Sequence, residues 1–223
     1  FDSTTGNLIN ATILQRLTNT KNGTTVYNHI SAIGLYENDG NRYYAVSNNH
    51  VEAGFRTVQI YDSNFNMLFQ FSNEKVYNPD RNEIGNVVNG YPLSSSILDI
   101  NYAQDGALLV TYQVGVVAIY DIDYNNQNVT LRAAIGDAGS LPGYFSEPRG
   151  VINIKTDEYN WLVVSDTLNN RLQVFRYNAL TNGINEPLFY FGNGIGGNSE
   201  RQLYVPRKLT FNDDSLYVAD FGN

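Results

Sequence analysis

Short apolar or alternating runs, separated by Asn, Asp and Gly, recur along the whole chain and carry the period of strands rather than helices. Residues 30–35, 97–102, 151–154 and 209–211 read as first strands. Each is followed by a turn and a second strand closed by a polar residue: Ser47, Thr111, Asp166 or Asp220. The turns Asn38-Asp39-Gly40-Asn41, Gln104-Asp105-Gly106 and Asn212-Asp213-Asp214-Ser215 hold residue types that tolerate left-handed backbone. Third strands are predicted at 58–61, 117–120 and 172–177, and outer fourth strands at 67–71, 131–135 and 188–191.

The units repeat. Asp166 and Asp220 lie 54 positions apart, as do Thr111 and Ser165, while Ser47 precedes Thr111 by 64. One four-stranded antiparallel sheet cannot bury both of its apolar faces, whereas several set radially cover one another and leave only short edges. The expected fold is therefore all-β, a β-propeller of four-stranded antiparallel blades with about four blades visible. Residues 1–28 read as the outer strand of a preceding blade (10–17) plus a loop, 29–72 as a blade and 73–95 as a long loop. Residues 96–136 and 137–192 are further blades, and 193–223 is an incomplete one. That count implies a single domain or fragment belonging to a larger ring of six or more blades.

Gly136, Gly139, Gly143-Tyr144-Phe145, Pro148-Arg149-Gly150-Val151, Val164-Ser165-Asp166 and Asn169-Asn170-Arg171-Leu172-Gln173-Val174-Phe175 together resemble one NHL repeat. Gly192, Pro206, Leu209 and Val218-Ala219-Asp220 are similar to a second; the earlier units keep only the hydrophobic skeleton. The resemblance implies a closed propeller, commonly six-bladed. Its enzymatic branches include a zinc-dependent lyase and a calcium-dependent lactonase, and other members bind RNA on a basic face.

Composition narrows these alternatives. Fourteen basic against 22 acidic residues give a net charge of −8, the wrong sign for broad attraction to nucleic acid or anionic lipid. No run reaches the roughly 20 apolar residues of a membrane helix, so no membrane insertion is expected. The absence of Cys excludes disulfides and thiolate sites. Only His29 and His50 are present, too few for a His-rich zinc centre; no cofactor is expected, although Asn and Asp oxygens suit calcium. Gly192-Asn193-Gly194-Ile195-Gly196-Gly197 has no following helix to aim amides at a phosphate.

Arg149 and Arg207, each directly after a Pro at the start of a first strand, are the ligand candidates. Equivalent guanidinium groups there could converge on an anion at the mouth of a central channel. The competing reading ties each to an acidic neighbour such as Glu147. Asp166, Asp220, Ser47 and Thr111 are expected to accept backbone N–H bonds in the turn that follows each second strand. Trp161, Phe175, Tyr120 and Tyr61 fall on strand positions and are expected to pack in the core or between blades. The long loop, with Tyr77, Pro79, Tyr91 and Pro92 among polar residues, is the candidate interface. Asn10, Asn22 and Asn128 stand in glycosylation acceptor triplets, which matter only in an exported protein. The combined expectation is a non-enzymatic module at the cell surface or outside the cell, binding a protein or a glycan or serving in a surface assembly. An enzyme with its site at the channel mouth comes second and RNA binding last.

Overall fold

The computed structural model describes residues 18–21, 24–27, 30–49, 56–90 and 95–223. A hairpin of β1 (Thr18–Lys21) and β2 (Thr24–Tyr27) comes first, paired from Thr18 opposite Tyr27 to Lys21 opposite Thr24. It replaces the loop expected there, while the outer strand read at 10–17 lies outside the described residues.

The first large sheet runs β3 (Ile33–Asn38), β4 (Asn41–Asn48), β5 (Thr57–Tyr61), β6 (Met67–Phe71), β7 (Lys75–Tyr77) and β8 (Glu83–Asn86) in chain order. The second holds β9 (Ile97–Tyr102), β10 (Leu108–Tyr112), β11 (Val116–Asp123) and β12 (Asn128–Ile135). The third holds β13 (Pro148–Lys155), β14 (Asn160–Asp166), β15 (Arg171–Arg176) and β16 (Phe189–Phe191). Strands β17 (Pro206–Asn212) and β18 (Ser215–Asp220) pair as a two-stranded sheet. Every strand pair is antiparallel, and the described residues contain two single-turn 3-10 segments but no α-helix.

Two boundaries differ from the sequence reading. The first strand begins at Ile33 rather than residue 30, because Ser47 Oγ accepts the Ser31 and Ala32 amides at 2.8 and 2.9 Å before the ladder starts. The segment 73–95 is not simply a loop: β7 and β8 extend the first sheet outward. Val76 is buried there, and Lys75 pairs with Glu83 at 2.8 Å. Three-residue strands carry too little alternation to register as period two. Beyond them Val88 accepts from Leu131 N at 2.9 Å and donates to Val129 O at 2.8 Å, joining the segment to the outer strand of the second sheet.

The turns form as their residues dictate. Asn38 pairs with Asn41 across a two-residue turn in which Asp39 and Gly40 have φ of 49° and 78°. In the last hairpin Asp213 and Asp214, with φ of 48° and 59°, do the same.

Central strands are buried on both faces, which explains why β5 and β10 read as unbroken runs rather than alternating ones. Leu108 and Val110 join Ile60, Phe69 and Phe71 in a core between the first and second sheets. Leu109, between them in sequence, points the other way, into a core with Phe145, Leu162, Val164 and Phe175 of the third sheet's segment. Val163 then packs with Leu172, Leu203 and Leu209 toward the last hairpin. The sheets thus stack face to face in chain order, each sharing one core with its predecessor and one with its successor.

First strands lie next to first strands: β3 beside β9, β9 beside β13, and β13 beside β17. Asp99 Oδ2 accepts from Val151 N, and Asn101 Nδ2 donates to Val151 O, both at 3.1 Å. The approach is tightest at Gly150, where a Cβ would drive into the Arg207 carbonyl oxygen. Gly150→Ala is therefore expected to cost about 3 kcal/mol by overpacking against rigid backbone, read as a shifted midpoint in urea unfolding. The same change at Gly183, whose Cβ would meet open space, tests only the strain of its φ of 94°.

Candidate functional site

The sheets have two ends, and chemistry gathers at both. At one end first strands begin and second strands finish. Register shifts occur there in three successive sheets, at Thr111/Tyr112, Pro148/Gly150 and Pro206/Leu209. Such bulges re-aim the extra residue, and Arg149 and Arg207 are among the residues so displaced. Arg149 Nη2 donates to Glu147 Oε2 at 2.6 Å, and Gln113 Nε2 donates to Glu147 Oε1 at 3.1 Å. The Arg149 bond, then the Gln113 bond, hold the Glu147 carboxyl below its ordinary range, and the charge of Arg207 adds to the effect. Both guanidinium groups thus act on one carboxylate, as the acidic-neighbour reading expects for Arg149. Arg207 instead lies over the Phe221 ring, with Cζ 3.6 Å from the centroid, and its buried Nε has no hydrogen-bond partner.

Lys208, beside Arg207, reaches across β13 to the carboxylate of Asp99 on β9. Asp99 is buried, and burial raises its carboxyl even though Lys208 and the Val151 amide oppose the shift. Sequence reasoning missed this pair, since no pattern relates residues 109 positions apart.

Asp166 is a structural hub. Its carboxylate accepts from Ser146 N at 2.7 Å, from Arg171 Nε at 2.7 Å, from Asn169 Nδ2 at 2.8 and 2.9 Å, and from Gln173 Nε2 at 3.0 Å. Asp220 repeats the plan with Tyr204 N at 2.7 Å and Asn223 Nδ2 at 2.5 Å. Both bind the segment before their own first strand, as Ser47 does, rather than only the turn that follows. Thr111 Oγ1 is buried without a hydrogen-bond partner and does not share this role.

At the opposite end the β3–β4, β9–β10 and β11–β12 turns enclose a cleft of about 460 Å³, lined by Tyr36, Tyr43, Asp39, Asp105, Asp121 and Tyr124 among others. Four tyrosines form a near-parallel stack from its wall into the core. Tyr43 lies 3.8 Å from Tyr124, Tyr124 is 6.2 Å from Tyr36, and Tyr36 is 5.2 Å from buried Tyr102. Burial raises the Tyr102 and Tyr124 hydroxyls and keeps them neutral, with Tyr124 donating to Tyr102 at 3.2 Å. Arg132 binds Asp105 at 2.7 Å and also Asp121, while Tyr177 donates to Asp105 at 3.1 Å. Burial alone would raise Asp105, but Arg132, the Ala107 amide and Tyr177 outweigh it and hold the carboxyl below its usual range. One guanidinium thus pairs with two of the cleft's carboxylates and offsets one of their two charges.

The other expected site residues are scattered. Tyr77 is half-buried at the end of β7 and Pro79 is exposed in the turn after it; Tyr91 and Pro92 lie outside the described residues. Asn128 is exposed at the start of β12, while Asn10, Asn22, His29 and His50 are outside the described residues. Tyr61, Tyr120 and Phe175 are buried as expected, and Trp161 is half-buried, stacked on Tyr159 at 3.9 Å. Among the described residues no three His, Asp or Glu side chains gather in a way that could hold a metal ion. No helix among them is long and apolar enough to cross a membrane. The cleft escaped the sequence reading because its residues come from three turns spread over two units, and Tyr36, Tyr43 and Tyr124 pass individually for strand aromatics.

No family model matches the sequence, and no curated protein does either. Solved structures share the fold. One is a candidate phosphatase from Bacteroides thetaiotaomicron, with 11% identity over 86% of this chain and 58% of its own, at a TM-score of 0.55. Another is an auxiliary nutrient binding protein from Bacteroides ovatus, with 11% identity over 89% of this chain and 48% of its own, at a TM-score of 0.51. The chain spans about half the length of these structures. At such identity the likeness concerns the fold alone.

Burial raises the Asp166 carboxyl above its ordinary value despite its four donors. The folded chain therefore binds the proton more readily than the unfolded one in the window just above the usual carboxylate range, and stability linked to this group falls as pH rises through it. Across that window the wild type should gain stability relative to Asp166→Asn as pH falls, measured by paired urea titrations. A constant difference would show that Asp166 does not titrate there.

Proposed function

We propose that these sheets are blades of a β-propeller of the NHL-like kind, and that the module works by binding a glycan or a protein rather than by catalysis. The observation that carries the reading is the side-by-side placement of β3, β9, β13 and β17, with each sheet packed face to face on the next. A radial arrangement requires that placement, and the Asp166 and Asp220 hubs at matching positions support the repeat. Apolar side chains at the two ends of the array, Ile33 and Leu35 on β3 and Tyr217 on β18, are half or more exposed. They fit a ring with further sheets against them.

A rigid stack with turns gathered at one end suits binding, since loops can vary without disturbing the core. The nutrient-binding neighbour from Bacteroides ovatus is consistent with such a role. A cell-surface or extracellular setting agrees with it, as does the exposed Asn128 acceptor triplet.

The reading is tested by two assays on the same purified chain. Immobilised chain should retain a polysaccharide or a surface protein from a defined panel. It should not hydrolyse p-nitrophenyl phosphate or a γ-lactone faster than buffer, with or without added calcium or zinc. Turnover that a chelator abolishes would replace this reading with the metal-dependent enzyme.

A further inference from the structure

We propose that the tyrosine-lined cleft between the first two sheets binds a neutral saccharide, with the ring of Tyr43 as platform and the Asn38, Asp39, Asn41 and Asn125 side chains as hydroxyl partners. This deepens the binding-module reading and rests on it. The cleft's volume, about 460 Å³, falls within the range of small-molecule sites, about 300–1,000 Å³.

Three features select the ligand class. Tyr43 is half-buried, lines the cleft and, among the described residues, has one ring partner, Tyr124. Its other face is a flat apolar surface of the kind that the C–H face of a pyranose covers, with the phenol hydroxyl as a polar edge. The stack behind it, through Tyr124 and Tyr36 to buried Tyr102, fixes the ring before any ligand arrives, which lowers the ordering cost of binding.

The polar groups supply what a row of hydroxyls needs, and a cation is the competing occupant that calorimetry with spermidine separates. An ammonium group would be drawn to the ring faces and to negative charge; Arg132 pairs with both Asp105 and Asp121, one positive charge against two. The Asp123 carboxylate is filled by its own turn, accepting Asn125 N at 3.1 Å, Asn126 N at 3.0 Å and Asn126 Nδ2 at 2.7 Å. The side chains of Asn38, Asp39, Asn41 and Asn125, which line the cleft, form no hydrogen bond among the described residues. Three amides and one carboxylate offer both donors and acceptors, as a row of hydroxyls requires. The Asn38–Asn41 pairing across the tight turn holds three of these four in place.

Affinity electrophoresis of the whole chain through soluble starch, xylan, mannan and β-glucan, followed by calorimetry with the matching hexasaccharides and with spermidine, tests the assignment. At least one neutral glycan should bind. Tyr43→Ala should weaken it at least tenfold, Tyr43→Phe should retain most of the affinity, and Arg149→Ala at the far end should leave it unchanged. Asn41→Ala and Asn125→Ala, at exposed positions, should each weaken binding severalfold and keep the test decisive if Tyr43→Ala fails to fold. Glycan binding that survives Tyr43→Ala and both Asn changes would overturn the cleft while leaving the chain a binding module. Binding of spermidine alone, or of no neutral glycan, would overturn the saccharide class.

Discussion

What either end of this molecule can present depends on how closely the first strand of one sheet lies beside the first strand of the next. That spacing is set by backbone. Gly150 removes the one side chain that would hold β13 off the Arg207 carbonyl, and Lys208, the next residue on β17, reaches Asp99 two first strands away. Side chains complete the joint: Ser31 Oγ donates to Ile97 O at 2.6 Å and Thr167 Oγ1 to Pro206 O at 2.7 Å. Apolar burial between sheets supplies the bulk of the driving force, but it is non-directional. The short polar contacts fix which residues face one another.

This division of labour accounts for the two ends. Where first strands begin, bulges turn Arg149 and Arg207 out of the ladder, and nearby acidic or aromatic groups hold them: Glu147 for the first, Phe221 for the second. Charge there is largely spent within the protein. At the other end the turns of two sheets meet around a tyrosine stack, and Arg132 pairs with both Asp105 and Asp121. The side chains left without a partner at the cleft surface, among the described residues, are three amides and the Asp39 carboxylate, which together offer both donors and acceptors.

The strands of the second and third sheets were legible because long apolar runs bounded by Gly, Asn and Asp leave few alternatives, and turns such as Asn38 to Asn41 declare their backbone through residue type. The hairpin of β7 and β8 was not, because strands of three and four residues show no dependable period. Among site residues, the equivalence of Asp166 and Asp220 could be read from their spacing, and their partners before the first strand could not. The Asp99–Lys208 pair and the cleft depend on which sheets become neighbours. Only three-dimensional packing decides that, so individual aromatic and acidic residues gave no hint of either.

The adjacency of first strands is tested most directly by a double-mutant cycle on Asp99 and Lys208, with Asp99→Asn and Lys208→Met compared singly and together in urea unfolding. If β9 and β17 flank β13 as described, the pair should show a coupling free energy of about 1 kcal/mol or more despite its separation in sequence. Additivity within about 0.3–0.5 kcal/mol would mean that the two side chains do not meet. The side-by-side arrangement of first strands would then be wrong.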